Sequence, residues 1–253
     1  LRGQWRAYLV LGALNAAVPY ALIAAAELHL TASLAAILNA TTPLFAAIVA
    51  AARLGERLTA RVALGLAFGL AGVAILVGWN PLPLDRALFL AVGASLVAAL
   101  SYALAGVYAK TTVAGAPPLT LAIGQQLGAA ALLLPLALPR VAVEPAVLRP
   151  PLAIGAATVA LALGSTSLAY LLYFSLIASV GPTRALSVTF LVPVFGTLWS
   201  VIFLRETVGP GTLAGLAVIL ASVLLVTGVR LPALSLAGRP RPARETAWDH
   251  YEI

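Results

Sequence analysis

The chain contains no cysteine and no methionine, and charged residues make up only 9% of its 253 positions. Without cysteine there is no disulfide, no thiolate nucleophile and no zinc–sulfur centre. Soluble domains carry roughly 25% charged residues, so the scarcity of charge excludes a soluble α/β enzyme and a disordered chain alike. Apolar residues reach 62%, and the mean hydropathy is +1.05. No water-facing surface could hide that much hydrocarbon, and the bilayer is the solvent that fits. Acidic residues are scarcer than basic ones, 8 against 15, for a formal net charge of +7. In a soluble chain that excess would suggest nucleic acid. In a membrane chain it reflects the Lys and Arg that collect in cytoplasmic loops, so no nucleic-acid partner is expected. The first residues, from Leu1, carry neither a methionine nor the cleavage site of a signal peptide, so a truncated start is expected.

Crossing a hydrocarbon core takes about 20 mostly apolar residues. Eight stretches satisfy this: 7–27, 31–52, 60–79, 86–109, 118–138, 151–175, 183–204 and 211–229. They are twice the length of a barrel strand and do not alternate, so the expected fold class is an all-α integral membrane protein. Interior Pro19, Pro43, Pro135 and Pro193 are expected as kinks, which membrane helices tolerate. With Leu1 placed inside, the inside segments hold 11 of the 15 cations and the outside segments 4. Both termini are therefore expected in the cytoplasm of an inner-membrane, multi-pass protein. The polar, Arg-rich residues 231–253 read as a disordered basic tail.

Sliding the sequence by 150 residues aligns it with itself without a gap. Tyr20 falls on Tyr170, Pro43 on Pro193, Phe45 on Phe195, Leu54 on Leu204 and Glu56 on Glu206, and Gly65-Leu66-Ala67 falls on Gly215-Leu216-Ala217. Coincident Leu and Ala carry little weight in such a composition, whereas Pro, Phe, Tyr and Glu at one offset do. Five spans separate equivalent positions, so equivalent helices must cross in opposite directions. That is an inverted-topology repeat, the architecture of many secondary transporters. Residues 1–79 read as the last three helices of a first copy and 80–230 as a complete second copy of five. Eight helices of an expected ten are therefore present.

The segment from Ser33 to Leu76 resembles the closing part of an EamA domain. The marks are Pro43 and Phe45, the Gly-Glu-Arg-Leu of Gly55 to Leu58, and the glycine-spaced helix that follows. Pro193, Phe195, Arg205-Glu206-Thr207 and Gly211-x-x-x-Gly215 form the second copy. The resemblance, over about residues 5–230, implies an EamA-type member of the drug/metabolite transporter superfamily, built of ten helices in two repeats. It says nothing of the substrate.

Intramembrane polar residues are the first functional candidates. Asn15, Tyr20, Asn39, Thr42, Tyr102, Gln125, Tyr170, Tyr173 and Ser187 are expected to line a cavity that binds a small-molecule substrate. Amide and phenol groups suit polar solutes, and the alternative for each is an interhelical hydrogen bond. Pro43 and Pro193 are expected hinges. Glu56 and Glu206 are structural or gate residues, the bland reading being a carboxylate near the positive N-terminus of the next helix. The glycines are expected to let helices approach closely. No Asp, Lys or His sits mid-span, and no metal-binding or phosphate-loop pattern occurs. No cofactor, metal or catalytic residue is therefore expected, and an enzyme is disfavoured.

The leading expectation is a transporter, an exporter or exchanger of small polar or amphipathic metabolites such as amino acids, working by alternating access between inverted repeats. The alternative is a non-transporting scaffold or assembly subunit, or an inactive truncated transporter. The bilayer is the certain partner, and the reading leaves room for a homodimer.

Overall fold

A computed structural model of the chain describes residues 4–55, 59–79, 85–113, 116–169, 172 and 191–227. Among these residues the architecture is entirely helical. The helices are α1 (Trp5–Ala26), α2 (Ala32–Leu54), α3 (Ala60–Gly78), α4 (Arg86–Thr112) and α5 (Pro118–Val143). Then come α6 (Leu152–Ala160, continued by wider turns over Leu161–Leu168), α7 (Leu191–Leu204) and α8 (Pro210–Thr227). The first five are long and apolar enough to cross a membrane. The expected span at 183–204 begins outside the described residues, and α7 is its described part.

Local chemistry sets the helix starts. Thr31, Thr59 and Asp85 each accept from the amide three residues on, Leu34, Val62 and Leu88, at 3.3, 3.3 and 2.8 Å. These are N-caps, worth about 1 kcal/mol each. Gly55 ends α2 in the left-handed region, at φ 68°.

Proline shapes two interiors. Around Ala13–Ala17 α1 widens into a π turn, and the Val18 amide donates to the Ala13 carbonyl five residues back. In that register Leu14 would bond the amide of residue 19, but Pro19 has none. The Leu14 carbonyl is satisfied instead by the Ser101 hydroxyl of α4, at 2.7 Å. The wide turns of α6 include the positions 150 residues on, so the feature recurs in both copies. In α2 the helix breaks at Ala40–Thr41, just before Pro43. The Asn39 carbonyl, which Pro43 cannot reach with a donor, takes the Thr42 hydroxyl at 2.7 Å, and Thr41 does the same for Leu38.

Between apolar helices in lipid there is no hydrophobic driving force, so small residues and close contact hold the bundle. α1 packs against α4 and α5, α2 against α4 and α7, and α3 against α8. A core of Ala26, Leu34, Ile37, Leu38, Leu76, Leu88, Ile219 and Val223 joins α1, α2, α3, α4 and α8. The α3–α8 seam is reciprocal. A Cβ added to Gly65 would lie 2.5 Å from Val226, and one added to Gly215 would lie 2.8 Å from Leu76. Val226 stands 150 residues after Leu76, just as Gly215 stands after Gly65. Each contact is therefore made twice, with the partners exchanged, as a two-fold axis requires. Trp79 at the end of α3 meets Gly211 at the start of α8, so the two helices run antiparallel.

Candidate functional site

Three polar clusters occupy the bundle. In the first, Asn15 of α1 donates to the Gln125 side-chain oxygen of α5 at 2.7 Å, and Gln125 is buried. The π turn carries Asn15, and glycines press the seam shut around it. A Cβ on Gly12 would stand 2.5 Å from the Ala129 nitrogen, and one on Gly128 the same distance from the Tyr8 carbonyl oxygen. This geometry makes the amide pair a clasp between α1 and α5.

The second cluster is the break in α2. Thr42 is committed to Asn39 through both its carbonyl and, at 3.5 Å, its side-chain oxygen. Tyr20 is exposed and Tyr102 half-buried. Tyr170, Tyr173, Ser187 and Glu56 lie outside the described residues. Pro193 is buried in α7 and Pro43 half-buried in α2.

The third cluster joins the repeats. Glu206, just past α7, reaches the start of α2, where its carboxylate accepts from the Ala32 amide at 2.7 Å, the Ser33 amide at 3.2 Å and the Ser33 hydroxyl at 2.6 Å. The helix it caps is thus α2, 173 residues away, and not the α8 that follows it. The α1–α2 and α7–α8 turns must share one end of the molecule. Burial acts to raise the Glu206 pKa. The Ser33 hydroxyl, the Ala32 and Ser33 amides and Ser200 outweigh it, so the pKa lies below the usual carboxylate value. Glu27 stands nearby at the end of α1. Its carboxyl, partly sheltered by the bundle, is shifted up, first by that shelter and then by the charge on Glu206. Arg205, the residue before Glu206, has a left-handed backbone at φ 54°.

Sequence reasoning singled out Asn15, Gln125 and Glu206 but missed their partners. It also passed over Ser33, Ser95 and Thr197. Ser95 Oγ of α4, Thr197 Oγ1 of α7 and Gln126 Oε1 of α5 are buried with no hydrogen-bond partner. Burial beside an apolar helix face has no signal in a sequence this rich in Leu and Ala. Among the described residues no three metal-ligating side chains come together.

The family model of the EamA-like transporters matches residues 1–78 and 89–228. The chain belongs to the EamA-like transporter family. It is a multi-pass membrane protein of the drug/metabolite transporter type, and the family's members are transporters rather than enzymes. One solved crystal structure is similar in fold, with a TM-score of 0.55 at 20% identity over 87% of this chain and 75% of that one. No curated protein matches.

Proposed function

We propose that this EamA-like protein is an inner-membrane secondary transporter, an exporter or exchanger of small polar or amphipathic metabolites such as amino acids. It works by alternating access between two inverted repeats. The reading rests on the reciprocal contacts of α3 and α8, because a two-fold axis in the membrane plane makes two equivalent halves that can exchange inward- and outward-facing shapes. Pro43 and Pro193 are the hinges, since each removes a backbone hydrogen bond at the same place in its copy.

The solute is held by uncharged polar groups. Ser95, Thr197 and Gln126 have buried hydrogen-bonding atoms to spare. Asn39, Tyr102, Tyr170, Tyr173 and Ser187 are further candidates by their amide, phenol and hydroxyl groups, while Asn15 and Gln125 brace the α1–α5 wall. Solutes with several hydrogen-bonding groups fit such a lining better than bare cations, because no mid-span carboxylate is available to pair with a charge.

We further infer that two more helices, equivalent to α4 and α5, complete the first repeat. α1 packs between α4 and α5, yet the described side chains of its counterpart α6 are mostly exposed, Leu152 to 89%. Helices equivalent to α4 and α5 would cover α6 and the aromatic face of Phe195, Trp199 and Phe203 on α7.

The test is flux. The complete protein, reconstituted in liposomes, is loaded with a broad panel of labelled amino acids and related amphipathic metabolites. Efflux or counterflow of at least one class is expected, and a protein that moves none of them overturns the proposal in favour of a scaffold role.

A further inference from the structure

We propose that Glu206 and Ser33 form a latch that fastens the second repeat to the first at one mouth of the transport path, and that opening this mouth requires the latch to part. The proposal rests on the transporter reading above and adds to it the device that closes one side.

The geometry is unusual for a helix cap. An ordinary N-cap comes from the residue just before its own helix, and α2 already has one in Thr31. Glu206 adds a second cap from the other repeat, and its two oxygens take three donors on α2. A carboxylate at a helix N-terminus also meets the positive end of the helix dipole. The same segment is braced from its own side: the Glu206 amide donates to the Ser200 carbonyl at 3.2 Å, and Arg205 holds a backbone conformation that side chains rarely adopt. Strain of this kind persists where the surroundings enforce it. α2 and α7 carry the two hinge prolines, so the latch ties the two moving helices together at one end. The hydrogen bonds are charge-assisted, which makes them strong when made and sensitive to a single proton.

That proton gives the latch a defined pH dependence. The low Glu206 pKa means that the latched state favours the carboxylate. Latching is therefore present above the usual carboxylate range and lost as pH falls through the lowered value. Glu27 acts with the opposite sign. Its raised pKa means that the latched state favours the neutral acid. Rising pH places a second negative charge beside Glu206 and weakens the latch as Glu27 ionises. The latch is thus tightest in the window between the two values and looser on either side. The other charged groups at this end, among the described residues, are Arg205 on the same turn, His29 between α1 and α2, Asp85 and Arg86 at the start of α4, and Arg140, Glu144 and Arg149 around the turn from α5 to α6. Arg205 and His29 are exposed, and Asp85 is engaged with the Leu88 amide of its own helix.

The absence of native cysteine makes the test direct. Ala35→Cys places a reporter on α2 one turn beneath the latch, at a position that is buried in the closed arrangement. The protein is reconstituted in liposomes, and labelling by a membrane-impermeant maleimide is followed at the mouth where Glu206 lies. With the latch intact, labelling is slow and slowest in the window between the two pKa values. Glu206→Ala raises the rate about tenfold or more at neutral pH, and Ser33→Ala, which removes one of the three bonds, raises it by a smaller factor. With each rate divided by that of an unhindered cysteine at the same pH, which removes the growth of thiolate with pH, Glu206→Gln abolishes the rise on acidification and Glu27→Gln abolishes the rise on the alkaline side. A cap that only stabilised α2 would alter thermal stability without these pH limbs. Unchanged labelling in folded Ser33→Ala and Glu206→Ala proteins overturns the latch, as does an acid limb that survives Glu206→Gln. Labelling requires no solute, so the two proposals fail separately. Flux with unresponsive labelling removes the latch and spares the transporter, whereas responsive labelling with no flux does the reverse.

Discussion

Arg205 adopts the left-handed backbone of Gly55, its counterpart 150 residues earlier, at φ 54° against 68°. Both residues end a helix and precede a glutamate, so the same left-handed helix end is built twice from different residues. Glycine takes this conformation without penalty, whereas a residue with a Cβ loses about 1–2 kcal/mol there. The two positions are therefore not equivalent in energy although they are in shape.

Arg205→Gly should stabilise the protein. Relief of strain is partly offset by the greater freedom of glycine in the unfolded chain, about 0.5–1 kcal/mol, so the net gain is at most about 1 kcal/mol. Gly55→Ala is the reverse change and should cost a like net amount, up to about 1 kcal/mol, all of it backbone, since nothing lies within 4 Å of a Cβ built there. Thermal unfolding in detergent checks both signs. A neutral Gly55→Ala would mean that this turn relaxes freely.

The glycines should separate by what faces them. On Gly12 and Gly128 a Cβ meets the backbone of the neighbouring helix, which cannot move aside. On Gly65 the nearest atom is a Val226 methyl 2.5 Å away, a side chain that can shift, and the backbone, the Ser222 carbonyl oxygen, stands farther off at 3.0 Å. On Gly93 and Gly106 it meets nothing within 4 Å. Alanine at the first pair should cost about 1–3 kcal/mol or more, at Gly65 less, and at the last pair nothing, with a gain of up to about 1 kcal/mol from helix propensity. A ranking by unfolding midpoint that placed Gly106→Ala below Gly12→Ala would contradict the packing described here.

Asn15 and Gln125 should behave as a coupled pair. Either alanine substitution breaks the 2.7 Å bond between them, and the double-mutant cycle should give about 0.6–1.7 kcal/mol, the range found between membrane helices. Replacing both with leucine should cost less than the two single changes together, because the bond they share is lost only once. If these amides bound solute instead, flux would fall while stability held, and the coupling would vanish.

Much of the fold was readable from residue order. The bilayer imposes a length on apolar runs, so the span at 86–109 reappears as Arg86–Thr112 and that at 211–229 as Pro210–Thr227. The repeat was visible because Pro, Phe, Tyr and Glu are rare enough here to mark an offset. The azimuth of each helix was not, since Leu and Ala lie on every face and leave little periodicity to read. That is why the Gln125 partner, 110 residues distant, and the Glu206 partner, 173 distant, emerged only in three dimensions. The π turn at Ala13–Ala17 escaped for a related reason. Pro19 predicts a disturbed helix, but whether it kinks or widens depends on Ser101 being placed to take the freed carbonyl.

The inverted repeat makes a prediction about sidedness. Five crossings separate equivalent positions, so Arg57 and Thr207 should lie on opposite sides of the membrane. Positive charge is retained on the cytoplasmic side, so Arg57 is expected inside and Thr207 outside. Arg57→Cys and Thr207→Cys, each the single thiol in the chain, can be treated in intact cells with an impermeant maleimide and again after permeabilisation. Thr207→Cys should react at once and Arg57→Cys only after the membrane is opened. Reaction of both from one side would require an even number of crossings between them. It would then be incompatible with the antiparallel pairing of α3 and α8 through Gly65, Leu76, Gly215 and Val226, on which the two-fold arrangement stands.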